Sequence, residues 1–335
     1  MRKKNEIRVA TFNLLNLTVP EAVYYKKQKI SAEDFSKKKA WINGQLNIMD
    51  ADIVGFQELF HEEALRNILN DNPNYQNAKM VVGHNKEGLP SVGLFSRFPI
   101  VDHQVINNFP EQLDIDGIIV PFTEFSRPVL KCTVRVREDL NITVVVAHLK
   151  SKRPKIADDA DPNDPIEIAK GQCRSLLLRA SEANALRQIL MDVLKDRKQP
   201  VIVMGDLNDN DSAVTTRIIS GQAPFRQMPM DRKLQIWDTL LYHVKDIQAR
   251  VSLSDVFYTH IHNGHHEALD HIMVSQELVR ENPHHVGKVG YVRVLNDHLI
   301  DQTLSDERIP NWQSDHAQVV VTIELRGGSI KVERV

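Results

Sequence analysis

The chain has 335 residues, 42% hydrophobic and 26% charged, proportions that exclude disordered and collagen-like classes and leave enough length for a large buried core. Its formal charge is −2, from 42 basic and 44 acidic side chains, so any polyanionic partner must be held by a local basic patch. No apolar run approaches the roughly 18–20 residues that cross a bilayer.

Only Cys132 and Cys173 are present, too few for a disulfide framework or a zinc set. The opening stretch MRKKNEIRVATFNLL carries polar Thr11 and Asn13 inside its apolar run, and Asn16 follows. It therefore reads as a strand and not as an export signal, so a soluble, cytoplasmic protein is expected, or a secreted one if a leader has been removed, with a monomer as the default state.

In chain order, β-rich apolar patterns predict strands at 7–15, 52–57, 91–96, 129–136, 141–149, 200–207, 269–275 and 316–325. Helical spacing predicts helices at 36–50, through Trp41, Ile42, Leu46 and Met49, and at 61–70. A third is expected at 172–195, where Leu176, Leu177, Ala180, Ala183, Leu186, Leu190 and Leu194 form an apolar stripe read as core packing. Several strands follow one another with no helix between, so two packed sheets with helices outside fit better than a Rossmann or barrel repeat. Segments 17–35 and 151–171 read as long loop insertions. Candidate site residues fall on both sides of each, so one domain over 1–335 is expected.

Polar residues collect at the ends of these otherwise apolar strands. Asn13, Gln57, Glu58, His148, Asp206, Asn208, Asp270, Asp315 and His316 all lie there. One such residue reads as a strand cap, but so many buried acids, amides and imidazoles need a shared partner. Glu58, Asp206, Asn208 and Asp315 offer the oxygen donors that suit Mg2+, Mn2+ or Ca2+, while His148, Asp270 and His316 supply proton chemistry. That combination suits phosphoryl transfer.

The series TFN, QE, HLKSK, GDLN, LDHI and SDH, in that order from Asn13 to His316, resembles the endonuclease/exonuclease/phosphatase superfamily. The resemblance implies an α/β four-layer sandwich: two mixed, mainly antiparallel β-sheets face to face, helices outside, and an active site at one edge. It implies Glu58 as the main metal ligand, with Asn13 supporting metal or phosphate and Asp315 a further carboxylate near the ion, Mg2+ first and Mn2+ or Ca2+ as alternatives. Asp206 would orient or deprotonate water and Asn208 would hold a phosphate oxygen. His316 would contact the phosphate or act as base, with Asp270 fixing its tautomer. His148 would protonate the leaving oxygen, and Arg127 would bind phosphate.

Departures narrow the branch. Leu15 stands where exonuclease III-type enzymes carry an acid, and Phe122 and Phe125 lie near Arg127 where those enzymes carry a tyrosine. HLKSKRP followed by a long helix is closer to a bacterial nuclease-like branch. Lys150, Lys152, Arg153 and Lys155 crowd the mouth after His148, and Lys26, Lys27 and Lys29 sit beside Tyr24 and Tyr25, a mixture that suits a nucleic-acid backbone with stacked bases. The acidic run Asp158, Asp159, Asp161 and Asp164 would repel a polyanion if it lay over the cleft. In THIHNGHHEALDHIMVS, residues 259–275, Asp270 is the chemically placed residue and His271 is expected to flank the site. His260, His262, His265 and His266 are expected in a loop without ligand roles. The expected activity is a metal-dependent phosphodiesterase acting on nucleic acid, DNA first. A small phosphoester substrate is the alternative, and a non-catalytic binding protein on the same fold a third reading.

Overall fold

The computed structural model describes residues 5–25, 28–84, 86, 88–110, 117, 120–195, 199–222, 227–252, 256–301 and 308–327. Lys26 and Lys27 lie outside them. The strands are β1 (Glu6–Leu17), β2 (Ile53–Leu59), β3 (Lys79–Val82), β4 (Ser91–Ser96), β5 (Ile100–Asn108), β6 (Glu124–Arg137) and β7 (Leu140–His148). They continue as β8 (Val201–Asp206), β9 (Leu241–His243), β10 (His260–His262), β11 (His265–Glu267), β12 (Asp270–Ser275), β13 (Gly287–Leu295) and β14 (Gln318–Leu325). The helices are α1 (Ala32–Met49), α2 (Glu62–Asn70), α3 (Pro165–Leu194), α4 (Val214–Ser220), α5 (Met230–Trp237) and α6 (Val244–Ala249).

Two six-stranded sheets form, in the orders β13-β14-β1-β2-β4-β3 and β5-β6-β7-β8-β12-β9, with β10 and β11 as a separate ribbon. Pairing is antiparallel except at β1/β2 and β7/β8. Alternation along each strand sorts the side chains into layers. Ile7, Val9, Ile53 and Leu94 of the first sheet meet Leu130, Val146, Ile202 and Met204 of the second in one core. Phe12, Phe56 and Phe95 face outward under Ile42, Leu46 and Met49 of α1 and Ile68 of α2. On the other side Val145, Val203 and Met273 pack beneath Leu186 and Leu190 of α3. The expected four-layer α/β sandwich is therefore present. No helix among the described residues is long and apolar enough to cross a membrane.

Two expectations about the helices need correction. The helix placed at 172–195 begins earlier, at Pro165, because Asp164 caps it by accepting from the Ile166 N–H and proline is pre-organised for a first turn. Part of the 151–171 insertion is thus helical. The apolar stripe also diverges at its start: Leu176 and Leu177 are 50% and 54% exposed, and Leu178, Ala185 and Ile189 are buried instead. Over 30 residues the buried face contains polar Arg179, Ser181 and Glu182, which a search for apolar spacing passes over.

Candidate active site

Strand register assembles the site. His148 pairs with Asp206 across β7 and β8, and Asp270 pairs with the same Asp206 across β12 and β8. All three share the inter-sheet face of Val146, Met204 and Ile272. Asn13 reaches Asp206 from the first sheet, its Nδ2 donating to Oδ2 over 3.1 Å. Around that same oxygen stand His148 Nε2 at 3.4 Å and His316 Nε2 at 3.9 Å. His316 also holds Asp270, Nδ1 to Oδ2 at 2.8 Å.

Burial and charge set the protons. Burial pushes the Asp206 carboxyl up to about 7, with Asp270 adding to the rise while His316 opposes it. Burial works against a charge on His316, but Asp270 and Asp206 outweigh it and hold the imidazole well above its usual range. His148 goes the other way. Burial, reinforced by Arg127 and His316, keeps it well below the usual histidine range, and its Nδ1 is buried without a hydrogen-bond partner. One imidazole favours its proton, the other refuses it, and a carboxyl lies between them.

Glu58 reaches the site through a break in the pattern. Alternation after Phe56 and Gln57 would turn its side chain toward the outer helices, but its φ is 59° and the β2/β4 register shifts between Phe56 and Leu59. β1 has a matching irregularity between Asn13 and Leu17, with Leu15 at φ 45° and Asn16 at φ 58°. Left-handed backbone at non-glycine residues is costly and concentrates at functional sites. The result is a carboxylate that accepts from Asn16 N at 3.0 Å and from Asn13 Nδ2 at 3.4 Å. Asn16 Oδ1 is buried and unpartnered. Beside it Lys38 of α1 donates to Leu15 O at 2.7 Å and is lowered to about 8 by burial, against the pull of Glu58 and Asp315. Neither Asn16 nor Lys38 was indicated by a motif.

A divalent cation fits these donors. Besides Glu58 and Asn16 Oδ1, the Oδ1 atoms of Asp270 and Asp315 are buried without partners, and orphaned oxygens are what a hard cation satisfies. Two donor sets lie within 4.8 Å among the described residues: Asp206, Asp270 and His316, and His260, Asp315 and His316. Asp315 is thus grouped with His260, and Glu58 with neither set.

The rim is organised from α3. Glu182, fully buried, accepts from the backbone N–H of Ser126 at 2.8 Å and of Lys150 at 2.6 Å, and also from the Ser126 hydroxyl. It thereby ties the residue before Arg127 to the residue after Leu149. Arg127 donates to Leu149 O at 3.2 Å, and Asn208, held at φ 56°, donates to the same carbonyl at 3.0 Å. Arg179 joins Asp209 at 2.9 Å. Lys150 turns along its own loop, Nζ on Ser151 O at 3.1 Å, and burial lowers it to about 8. Lys152 is paired with Glu267 at 2.8 Å. Next to Arg127 and Lys150 opens a cavity of about 520 Å³ that Tyr25, His84 and Phe125 also line. Although no tyrosine is near Arg127 in the sequence, the first insertion brings Tyr25 there, close enough for the guanidinium to lower the phenol against a larger rise from burial. Tyr25 packs on Phe60 with ring centroids 5.1 Å apart. Of the acidic run, Asp164 caps α3, while Asp158, Asp159 and Asp161 are exposed.

The histidine stretch divides differently from expectation. His271 faces the helix layer, Nε2 bonded to Asp209 O at 2.8 Å and its ring against His243, so it sits behind the strand that carries Asp270. His260, given no ligand role by the resemblance, reaches the site: its ring lies 4.9 Å from that of His316 and its Nε2 3.9 Å from Asp315 Oδ2. His266 packs on Tyr258. His262 and His265 are exposed ribbon residues, with the His262 ring stacked 6.2 Å from that of His260.

The architecture is similar to that of known structures. Human Nocturnin's catalytic domain with bound sulfate anion aligns over 96% of this chain and 95% of its own, at 16% identity and TM-score 0.56. A humanized D. rerio TDP2 aligns over 95% and 99%, at 14% identity and TM-score 0.55. An endonuclease/exonuclease/phosphatase from Bacteroides vulgatus aligns over 96% and 99%, at 14% identity and TM-score 0.55. No curated protein sequence gives a significant match. The model of the Endonuclease/Exonuclease/phosphatase family matches residues 10–316, and the chain belongs to that family of phosphoester-hydrolysing enzymes.

Proposed function

We propose that the chain is a divalent-metal-dependent phosphodiesterase that cleaves nucleic acid, with DNA as its first substrate class. The observation that carries this reading is the crowding of Asn13, His148 and His316 within 3.9 Å of one oxygen of buried Asp206. Asp206, raised to about 7, is matched to take a proton from an attacking water near neutrality. His316, favoured in its protonated form and oriented by Asp270, suits donation to the leaving oxygen or contact with the phosphate. His148, kept neutral, suits a hydrogen bond to the reacting group better than the proton delivery expected of it. Arg127 faces the cavity beside this cluster and would hold a phosphate oxygen. Glu58, Asn13 and Asn16 would hold Mg2+ or Mn2+, with Asp315 near by; the ion supplies charge neutralisation on the phosphate when bound.

Support for DNA comes from a similar structure, D. rerio TDP2 complexed with single strand DNA product, 13% identical over 95% of this chain and 98% of its own, TM-score 0.54. A small phosphoester is the second reading. The cavity of about 520 Å³ has the size of one compact ligand, and Lys152 is already paired with Glu267. A panel of plasmid DNA, single-stranded DNA, RNA, bis-p-nitrophenyl phosphate and p-nitrophenyl phosphate, each with Mg2+, Mn2+, Ca2+ or EDTA, separates them. Plasmid cleavage with Mg2+ that EDTA abolishes is expected. Turnover of the monoester alone would move the assignment to a phosphatase, and silence on every substrate would leave a binding protein.

A further inference from the structure

We propose that His260, Asp315 and His316 form a zinc-class metal site, a donor set that Glu58 does not join, whose occupation switches the enzyme off. One donor atom from each of the three lies within 4.8 Å of the others. A tetrahedral ion with bonds near 2 Å needs its donors about 3.4 Å apart, so a modest turn of the side chains closes the set. Two imidazoles and one carboxylate are donors that Zn2+ and Co2+ prefer and Mg2+ does not.

The neighbourhood is already arranged for such an ion. Asp270 holds Nδ1 of His316 at 2.8 Å, which leaves Nε2 as the outward nitrogen, the carboxylate-histidine arrangement that supports metal ligands. His260 Nε2 stands 3.9 Å from Asp315 Oδ2, and both His260 Nδ1 and Asp315 Oδ1 are buried without hydrogen-bond partners. His260 lies on the β10–β11 ribbon, which belongs to neither main sheet and can adjust without breaking one. His260 and Asp315 also line a cavity of about 270 Å³, which gives an ion a route in and room for a water as fourth ligand. The same His316 nitrogen lies 3.9 Å from Asp206. An ion on it would draw the imidazole out of the Asp206 cluster and remove its proton chemistry.

The inhibitory half rests on the phosphodiesterase reading; the binding half does not. Metal-free full-length protein titrated with Co2+ in excess Mg2+ should show ligand-field absorption in the visible, saturating at one equivalent and displaced by Zn2+. His260→Gln should abolish that absorption and raise the zinc concentration for half-inhibition at least about 10-fold, each variant being compared with its own Mg2+-supported rate. Exposed Cys173 is the obvious competing ligand, and Cys173→Ser should keep the spectrum intact. If His260→Gln fails to fold, zinc-edge anomalous scattering from a soaked wild-type crystal should place a peak among the three side chains. An absent band, an unchanged band in His260→Gln, or a peak elsewhere overturns the site. Binding at the site with undiminished hydrolysis overturns the switch. A protein that shows the spectrum but hydrolyses no phosphoester keeps the metal site and loses the proposed function.

Discussion

His148 and Asp206 meet at the ends of two parallel strands, Nε2 3.4 Å from Oδ2, because they are register partners across β7 and β8. One register position earlier, Gly205 stands opposite Ala147. Its φ is +142°, and a Cβ built on it would lie 1.9 Å from the carbonyl oxygen of Ala147. That oxygen is backbone, so it cannot swing away as a flexible side chain would. Gly205→Ala is expected to part the strands, cost more than about 3 kcal/mol and separate the pair. Urea unfolding reads the cost, and a midpoint within error of wild type would mean that the strands do not need this contact.

Asp206→Asn keeps the shape of the side chain and removes its charge. Hydrolysis should fall by about 1,000-fold in kcat/KM, the scale of a lost acid or base. Stability should move the opposite way. The folded value near 7 is above the ordinary 3.8, so the contribution of this group is full below 3.8 and is lost as pH rises through about 7. At pH 8 the wild-type protein therefore carries a buried carboxylate that the amide avoids. Unfolding at pH 5 and pH 8 should show the variant gaining on wild type at the higher pH, and an equal gap at both would contradict the burial of a titrating carboxyl.

Much of this site was legible in the chain before folding because strands make it so. His148, Asp206 and Asp270 each end or begin an apolar strand pattern, and the sandwich only had to bring those ends to one edge. Interior strands such as β4, β8 and β12 were readable from near-continuous apolar runs, since both faces are covered. The strands β3, β5, β9 and β13 were not. All four stand at sheet edges, and β5, IVDHQVINN, is exposed or half-exposed along its length. The same reason hid His260, which sits on a three-residue strand of a ribbon with no apolar pattern. Asn16 and Lys38 were invisible for another cause. A bulge with two consecutive left-handed residues aims the first, and a helix packed over that bulge carries the second.

Glu182 is expected to act as a positioning residue. Its two carboxylate oxygens accept from the N–H groups of Ser126 and Lys150, so the strand carrying Arg127 and the loop after His148 share one clamp. Glu182→Ala removes the acceptor that both N–H groups share and should cost about 2–4 kcal/mol. Glu182→Gln keeps the bulk but weakens one arm. If Arg127 holds the phosphate, the Gln variant should raise KM more than it lowers kcat, because the clamp sets the phosphate-binding rim and not the proton relay. A purely structural role predicts loss of stability with both constants unchanged for the folded fraction.

Buried histidines that the fold keeps neutral should cost this protein stability in acid. Burial, with nearby His271 adding to it, lowers His243 from 6.5 to about 3. Burial also lowers His148, His271 and His298. The unfolded chain takes up these protons around 6.5 while the fold refuses them, so their contribution is full above 6.5 and is lost as pH falls, for His243 across the window down to about 3. Each such group steepens the decline by at most about 1.4 kcal/mol per pH unit. His243 Nε2 has no hydrogen-bond partner, so His243→Phe gives up no bond at that atom while removing one proton from the linkage. Urea unfolding at pH 7.5, 6.0 and 5.0 should give a shallower loss for His243→Phe than for wild type. Parallel curves would show that His243 is already protonated in the fold and that its burial does not set the acid limit.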